Sequence, residues 1–154
     1  MLSWLARPLS LFVSKPHRCV VYPVYHIFIC LPTYFSMLVP NKMQHVLCTG
    51  NVGREQYNEL RGLAPSVHVV AGDYDDDDLA FPETKVVQIG QFRIGIMHGH
   101  QVLPYNSQDA IARMRRKLNV DIFISGHTHK NEVVLQEGFY HINPVRKNPM
   151  VGLI

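Results

Sequence analysis

Val120-Asp-Ile-Phe-Ile-Ser-Gly-His-Thr-His129 is the stretch around which the rest of the chain arranges itself. Val120 to Ser125 is a short apolar run rich in β-branched residues, which reads as a buried strand. Gly126 permits a sharp turn, and His127 and His129 follow two residues apart. In an extended segment residues i and i+2 point to the same side, so two imidazoles are aimed at one point beyond a strand end. Imidazole is the commonest metal-binding side chain near neutral pH. Two surface histidines on a turn are the bland alternative. The apolar strand and Gly126 favour the ligand reading, although two ligands alone do not make a site.

The totals fix the frame for that stretch. A chain of 154 residues suffices for one domain with a real core. Hydrophobic residues at 47% against 18% charged exclude a disordered chain. A formal charge of +3 is too mild to imply nucleic acid. The densest basic cluster, Arg113, Arg115, Arg116 and Lys117, is expected to be the solvated face of a helix. Cys19, Cys30 and Cys48 are odd in number and lack zinc-type spacing, which argues against a disulfide framework and suits a reducing compartment. Nine histidines are many for this length, so the chemistry is sought among them.

From Asn41 onward the pattern is regular. His45 to Thr49 reads as a strand ending in Gly50-Asn51. Arg54 to Leu63 reads as a helix, with Tyr57, Leu60 and Leu63 at helical spacing and Gly62 marking its termination. Val67 to Ala71 is a strand ending in Gly72-Asp73, and the acidic run Asp75 to Asp78 is expected to be a solvated loop, its spacing being wrong for calcium. Lys85 to Ile89 and Phe92 to Met97 form a hairpin through Gly90-Gln91, and the second strand runs into His98-Gly99-His100. A helix follows, capped by Asn106 or Ser107, with Ala110, Ile111, Met114 and Leu118 on its apolar face. After the opening strand, Glu132 to Gln136 and Phe139 to Ile142 form a second hairpin turning at Glu137-Gly138.

Four of these strands end by delivering a polar group: Asn51, Asp73, His98, and His127 with His129. In open α/β sheets ligands bind at the carboxyl ends of strands. One amide, one carboxylate and three histidines on such an edge suit a divalent transition metal, with zinc or manganese the expected ion. Gly50-Asn51, Gly72-Asp73, His98-Gly99-His100 and Gly126-His127-Thr128-His129 together resemble the ordered motif set of the calcineurin-like metallophosphoesterase superfamily. The resemblance covers about Val39 to Pro144. It implies an α/β fold, a β-sandwich flanked by helices, incomplete at the N-terminal strand and the C-terminal strands.

The superfamily usually holds two metals bridged by one residue. The resemblance places Asn51 in the bridging position and gives Asp73, His98 and His127 to one metal. It assigns His129 to the other metal, whose remaining ligands come from an Asp-x-His motif that is absent here. Phe12 and Ser14 stand where that motif's Asp and His are expected. Tyr74 stands where active members carry a catalytic His, and tyrosine with a pKa of ~10 is a poor proton donor at neutral pH. Two-metal hydrolysis needs both ions held ~4 Å apart. The resemblance therefore implies a poor phosphoesterase with at most one divalent ion, kept as a binding scaffold. The branch it approaches implies a non-catalytic subunit of the retromer coat in endosome-to-Golgi transport. That subunit is cytoplasmic, peripheral on the endosome membrane, and docked by its metal-site face to a large α-solenoid partner. A metal-dependent phosphoesterase with one degenerate position is the alternative.

The ends depart from this pattern. Residues 1–38 form an atypical apolar N-terminal segment, residues 39–144 the phosphoesterase-like domain, and residues 145–154 an irregular tail. Cys19 to Val39 contains no Asp, Glu, Lys or Arg, but Pro23 and Pro32 interrupt it. A membrane anchor, a poorly formed buried region and a stretch foreign to the folded domain compete as readings. The resemblance favours an altered transcript or gene model at both ends and the loss of a central strand.

Overall fold

The computed structural model describes residues 19–22, 44–76, 78–105, 107–130 and 132–144. The elements in chain order are β1 (Cys19–Tyr22), β2 (His45–Cys48), α1 (Arg54–Leu63), β3 (Ser66–Val69), β4 (Thr84–Ile89), β5 (Phe92–Met97), α2 (Gln108–Leu118), β6 (Ile122–Ser125), β7 (Glu132–Gln136) and β8 (Phe139–Asn143). The first three strands form a parallel sheet in the order β1-β2-β3, and the others a mixed sheet in the order β4-β5-β6-β8-β7. The boundaries expected near residues 38 and 145 fall outside the described residues. Among the described residues no helix is long and apolar enough to cross a membrane.

Alternation along the strands sorts the core into layers. Leu47 and Val70 meet Val87, Ile89, Ile94, Ile96, Ile122, Ile124 and Ile142 between the two sheets. The opposite residues of the parallel sheet, Val46, Cys48 and Val69, pack against Leu60 and Leu63 of α1. Met97 and Phe123, on the outer face of the mixed sheet, pack against Ala110 and Ile111 of α2. The result is a two-sheet sandwich with a helix on each outer face, as the resemblance implies; the strand and helix pattern alone points to an open α/β sheet.

The strand expected to be missing has a substitute. Cys19–Tyr22 pairs in parallel register with His45–Cys48 and occupies the far side of β2 from β3. Four residues of the uncharged stretch thus supply a third parallel strand. Their composition, Cys-Val-Val-Tyr, is that of a strand; the length of the surrounding apolar run masked it.

Helix ends follow local chemistry. Ser107 caps α2 by accepting a hydrogen bond from the Ala110 N–H, and Asn119 ends it in the left-handed conformation at φ 50°. Asn106, the other expected cap, lies outside the described residues. Gly62 does not terminate α1; it lies inside the helix, whose C-cap is Ala64 in extended conformation.

The basic face of α2 is not wholly solvated. Arg115 is buried, places its guanidinium 3.6 Å from the Phe139 ring centroid, and donates to Glu137 at 3.0 Å. The β7–β8 hairpin folds back to provide both groups, a tertiary contact with no local sequence signature. Arg115→Ala is expected to cost about 2 kcal/mol in urea unfolding, chiefly through lost stacking on Phe139 and lost burial of its aliphatic stem, since Arg116 still holds Glu137 at 3.0 Å. Lys117→Ala, on the same turn, is expected to cost less than about 0.5 kcal/mol.

Candidate metal centre

Two glycines bring the ends of β2 and β3 together. A Cβ on Gly50 would lie 2.7 Å from Gly72 Cα, and one on Gly72 would lie 1.9 Å from Asn51 Oδ1. Only backbone fits at this crossing. Asn51 takes a positive φ of 60°, which asparagine tolerates better than most residues. Its side chain then bridges the two loops: Oδ1 accepts from the Tyr74 N–H at 3.0 Å and Nδ2 donates to Asp73 Oδ1 at 2.9 Å.

The acidic run stitches the same loops. Asp75 accepts from the Val52 N–H at 2.9 Å and from the Gly72 N–H at 2.7 Å. Asp76 accepts from the Arg54 N–H at 2.7 Å, satisfying the first turn of α1, which has no side-chain cap of its own. Asp78 pairs with the Arg54 guanidinium. Asp76 and Asp78 are solvent-exposed, as expected of this loop, and with Asp75 they also hold specific partners. A run of aspartates is read as hydrophilic, but the orphan N–H groups of a neighbouring helix start and turn give it partners.

Asp73, His98 and His127 converge. One ligating atom from each lies within 4.8 Å of the others. His98 Nε2 is 2.9 Å from Asp73 Oδ1, and His127 Nδ1 is 3.5 Å from Asp73 Oδ2. Asn51 Nδ2 lies 3.5 Å from His98 Nε2. His129 is not part of this three-residue cluster. His127 and His129 each adopt positive φ, 63° and 54°, so the turn is not the extended segment assumed from their spacing. Of the five expected ligands the structure therefore gathers Asn51, Asp73, His98 and His127.

Neighbours that spacing alone did not bring forward complete the surroundings. The His100 ring lies 5.4 Å from that of His98, and the Tyr105 ring 5.2 Å from that of His127. His100 belongs to the His-x-His run and was legible as a motif residue; Tyr105 had no signal.

The electrostatics suit a cation. Partial burial raises the Asp73 carboxyl, but the Asn51 amide and the His98 and His127 rings outweigh it and hold the group below its ordinary range. Burial holds His98 below the usual imidazole value, against the opposing pull of the Thr49 carbonyl and Asp73. His98 Nδ1 donates to the Thr49 carbonyl at 2.6 Å. That bond fixes the tautomer and turns the Nε2 lone pair toward the Asp73 carboxylate, acceptor against acceptor. A positive charge between them relieves the contact, and burial disfavours a second proton on the ring. The donor set of one carboxylate and two imidazoles thus fits a zinc-type ion.

Beneath the His127 turn, the buried Ser125 hydroxyl contacts His141 Nε2 at 2.8 Å. Burial pushes His141 from an ordinary 6.5 down to about 4. Between those values the unfolded chain binds a proton that the folded chain refuses. His141 therefore contributes stability that is full above pH 6.5 and lost as pH falls toward 4, about 3 kcal/mol in total. Urea unfolding from pH 7 to pH 4 is expected to show this slope, and His141→Gln to flatten it.

Comparison with known proteins gives a consistent picture. The calcineurin-like phosphoesterase superfamily domain matches residues 30–145. Vacuolar protein sorting-associated protein 29 of Schizosaccharomyces pombe is 30% identical over 110 residues, covering 71% of this chain and 58% of that protein. The chain thus spans little more than half the length of that relative. The structure of Vps29 from Entamoeba histolytica complexed with zinc is 42% identical, with a TM-score of 0.76 over 88% of this chain and 79% of the other. Vps29 of Chaetomium thermophilum complexed with a cyclic peptide is 27% identical, with a TM-score of 0.70 over 83% of this chain and 68% of the other.

Proposed function

The chain belongs to the calcineurin-like phosphoesterase superfamily and within it to the Vps29 group, and we propose that it is a non-catalytic docking subunit in vacuolar protein sorting. In this reading it is part of the retromer coat, serves endosome-to-Golgi retrograde transport, and sits peripherally on the endosome membrane through the complex. Its metal-site face docks against the large α-solenoid subunit of that coat.

The observation that carries the reading is the apolar rim of the site. Tyr74 and Tyr105 are 73% and 53% exposed. Tyr74 adjoins Asp73, and the Tyr105 ring lies tilted against that of His127, 5.2 Å away. Large exposed side chains gathered round a polar centre are the composition of a protein-docking surface. A hydrolytic centre would need a second cation position, yet the side chain that would bridge two ions is the amide of Asn51, already bonded to Asp73 and Tyr74. Tyr74 takes the place of the catalytic histidine.

The Asp73–His98–His127 cluster and the zinc in the Entamoeba histolytica structure favour a second reading, a metal-dependent phosphoesterase. In that reading Asp73, His98 and His127 hold the ion, and a bound ion supplies Lewis-acid activation of phosphate oxygens. His129 and Asn51 are then the remnants of the other position.

One experiment separates the two. The purified chain is mixed with the retromer α-solenoid subunit, and the same preparation is assayed with zinc or manganese on a phosphate monoester. The docking reading expects a stable complex and no turnover above that of His127→Ala. Tyr105→Asp is expected to weaken the complex by at least about 30-fold, since a buried aromatic anchor is worth about 2 kcal/mol or more. A folded chain that ignores the solenoid and turns over substrate in a His127-dependent way would reverse the order of the readings.

A further inference from the structure

A second group of ligating side chains lies on the inner face of the parallel sheet, away from the strand ends that carry Asn51 and Asp73. Parallel register sets His45 of β2 beside Ser66 and Leu47 beside His68 of β3. His45 and His68 are therefore diagonal neighbours on one face. Their ring centroids are 5.7 Å apart and the ring planes differ by 19°. His45 Nδ1 and His68 Nε2 are 3.5 Å apart. The centroid separation exceeds the nitrogen separation by about the sum of the two ring radii, so these nitrogens lie between the rings and face one another.

We propose that His45 and His68 form a binding site for a late first-row divalent cation, zinc or copper, independent of the Asp73–His98–His127 cluster. Zinc–nitrogen bonds of ~2.0–2.1 Å meeting at a tetrahedral angle hold two imidazole nitrogens ~3.3–3.4 Å apart. The observed 3.5 Å is close to that span, so a turn of each facing ring about its side-chain bonds, without movement of either strand, converges the two lone pairs on one ion. A cation here replaces the proton that two facing imidazole nitrogens otherwise share. Burial, the Lys85 ammonium and the neighbouring His45 ring all hold His68 below the ordinary imidazole value, so a proton competes weakly for the site at neutral pH. Two protein ligands leave the other coordination positions to water. Binding is accordingly weaker than at a closed structural zinc site, and copper binds more tightly than zinc. Because the ligands sit on neighbouring strands, the cation ties β2 to β3 and raises the melting temperature with the logarithm of its concentration above the dissociation constant.

Lys85 provides an internal test. It lies on β4, the strand whose inward residues Val87 and Ile89 join the core. Its ammonium is near enough to depress His68. A like charge that opposes a proton on His68 also opposes a metal cation.

The experiment is a titration of the full chain carrying His98→Ala with zinc chloride and, separately, copper chloride, read by calorimetry and by 15N imidazole shifts in NMR. One equivalent is expected to bind, with shifts at His45 and His68. His45→Gln and His68→Gln are each expected to weaken it by at least about tenfold, and Lys85→Gln to tighten it several-fold. If His98→Ala does not fold, the imidazole shifts are read on the unsubstituted chain and on Lys85→Gln. Absence of shifts at His45 and His68, or residual binding untouched by His45→Gln, His68→Gln and Lys85→Gln, overturns the proposal.

Discussion

Gly72→Ala is expected to destabilise the protein by more than about 3 kcal/mol, whereas Gly62→Ala stabilises it by about 0.5–1 kcal/mol. The two substitutions add the same methyl group, so the contrast isolates its surroundings. At Gly62, inside α1, nothing lies within 4 Å of the added carbon, and alanine is the better helix former. At Gly72 the carbon would sit 1.9 Å from Asn51 Oδ1 and 2.3 Å from the Asn51 backbone nitrogen. A flexible side chain could move aside, but the backbone nitrogen belongs to a loop whose Gly50 already touches Gly72. Separating the loops breaks the bonds that Asn51 makes to Tyr74 and Asp73 and those that Asp75 makes to Val52 and Gly72. The two half-buried bonds of Asp75 cost about 1 kcal/mol each beyond the steric penalty, and the two exposed bonds of Asn51 less. Asp73 would also lose its hold on the His98 side of the site. Urea unfolding and zinc titration on both variants check the result. A Gly72→Ala protein as stable as Gly62→Ala would show that the strand ends are not packed as described.

What could be read beforehand and what could not divides along the range of the interactions. Apolar runs with turn residues at their ends marked every strand of the mixed sheet. The edges moved where a hydrophobic residue lies beyond the last paired one: Val120 is buried beneath α2 but the ladder begins at Ile122. The site residues were legible because each lies within four residues of a strand's carboxyl end, and strand ends gather in this architecture. The reading that aimed His127 and His129 at one point assumed extended backbone, and the turn takes positive φ at both. The burial of Arg115 and the partners of the aspartates escaped the sequence for a different reason. Phe139, Glu137 and the N–H groups of Val52 and Arg54 are distant in sequence from the side chains they meet. Charged side chains carry no mark that distinguishes a solvated group from a paired one. The same holds for His45 and His68, which a shared register brings together and which no spacing rule links.

Asn51→Asp is expected to destabilise the metal-free protein and to tighten zinc or manganese binding by about 10–100-fold, while His98→Ala weakens binding by more than about 100-fold. In the native chain the Asn51 amide donates to Asp73 Oδ1 at 2.9 Å. A carboxylate there turns an attractive contact into a repulsion between two like charges at hydrogen-bond distance, and only a cation or a proton removes it. The same carboxylate adds a hard anionic ligand, so metal binding and folding become more strongly coupled. His98 acts in the opposite sense. Its Nδ1–H is tied to the Thr49 carbonyl, which presents Nε2 to the site, and alanine removes both the ligand and its support. Melting curves with added zinc and with a chelator, together with calorimetric titration, distinguish these effects. An Asn51→Asp protein that melts identically with and without zinc would exclude the cluster as a cation site. Turnover offers a further discrimination between the two functional readings. If the amide alone silences catalysis, Asn51→Asp gains phosphatase activity with metal. If the tyrosine in place of the catalytic histidine also blocks it, tight metal binding arrives without turnover, and adding Tyr74→His is required to produce it. The docking reading expects the second result, because in that reading Asn51 and Tyr74 both stand in place of hydrolytic residues.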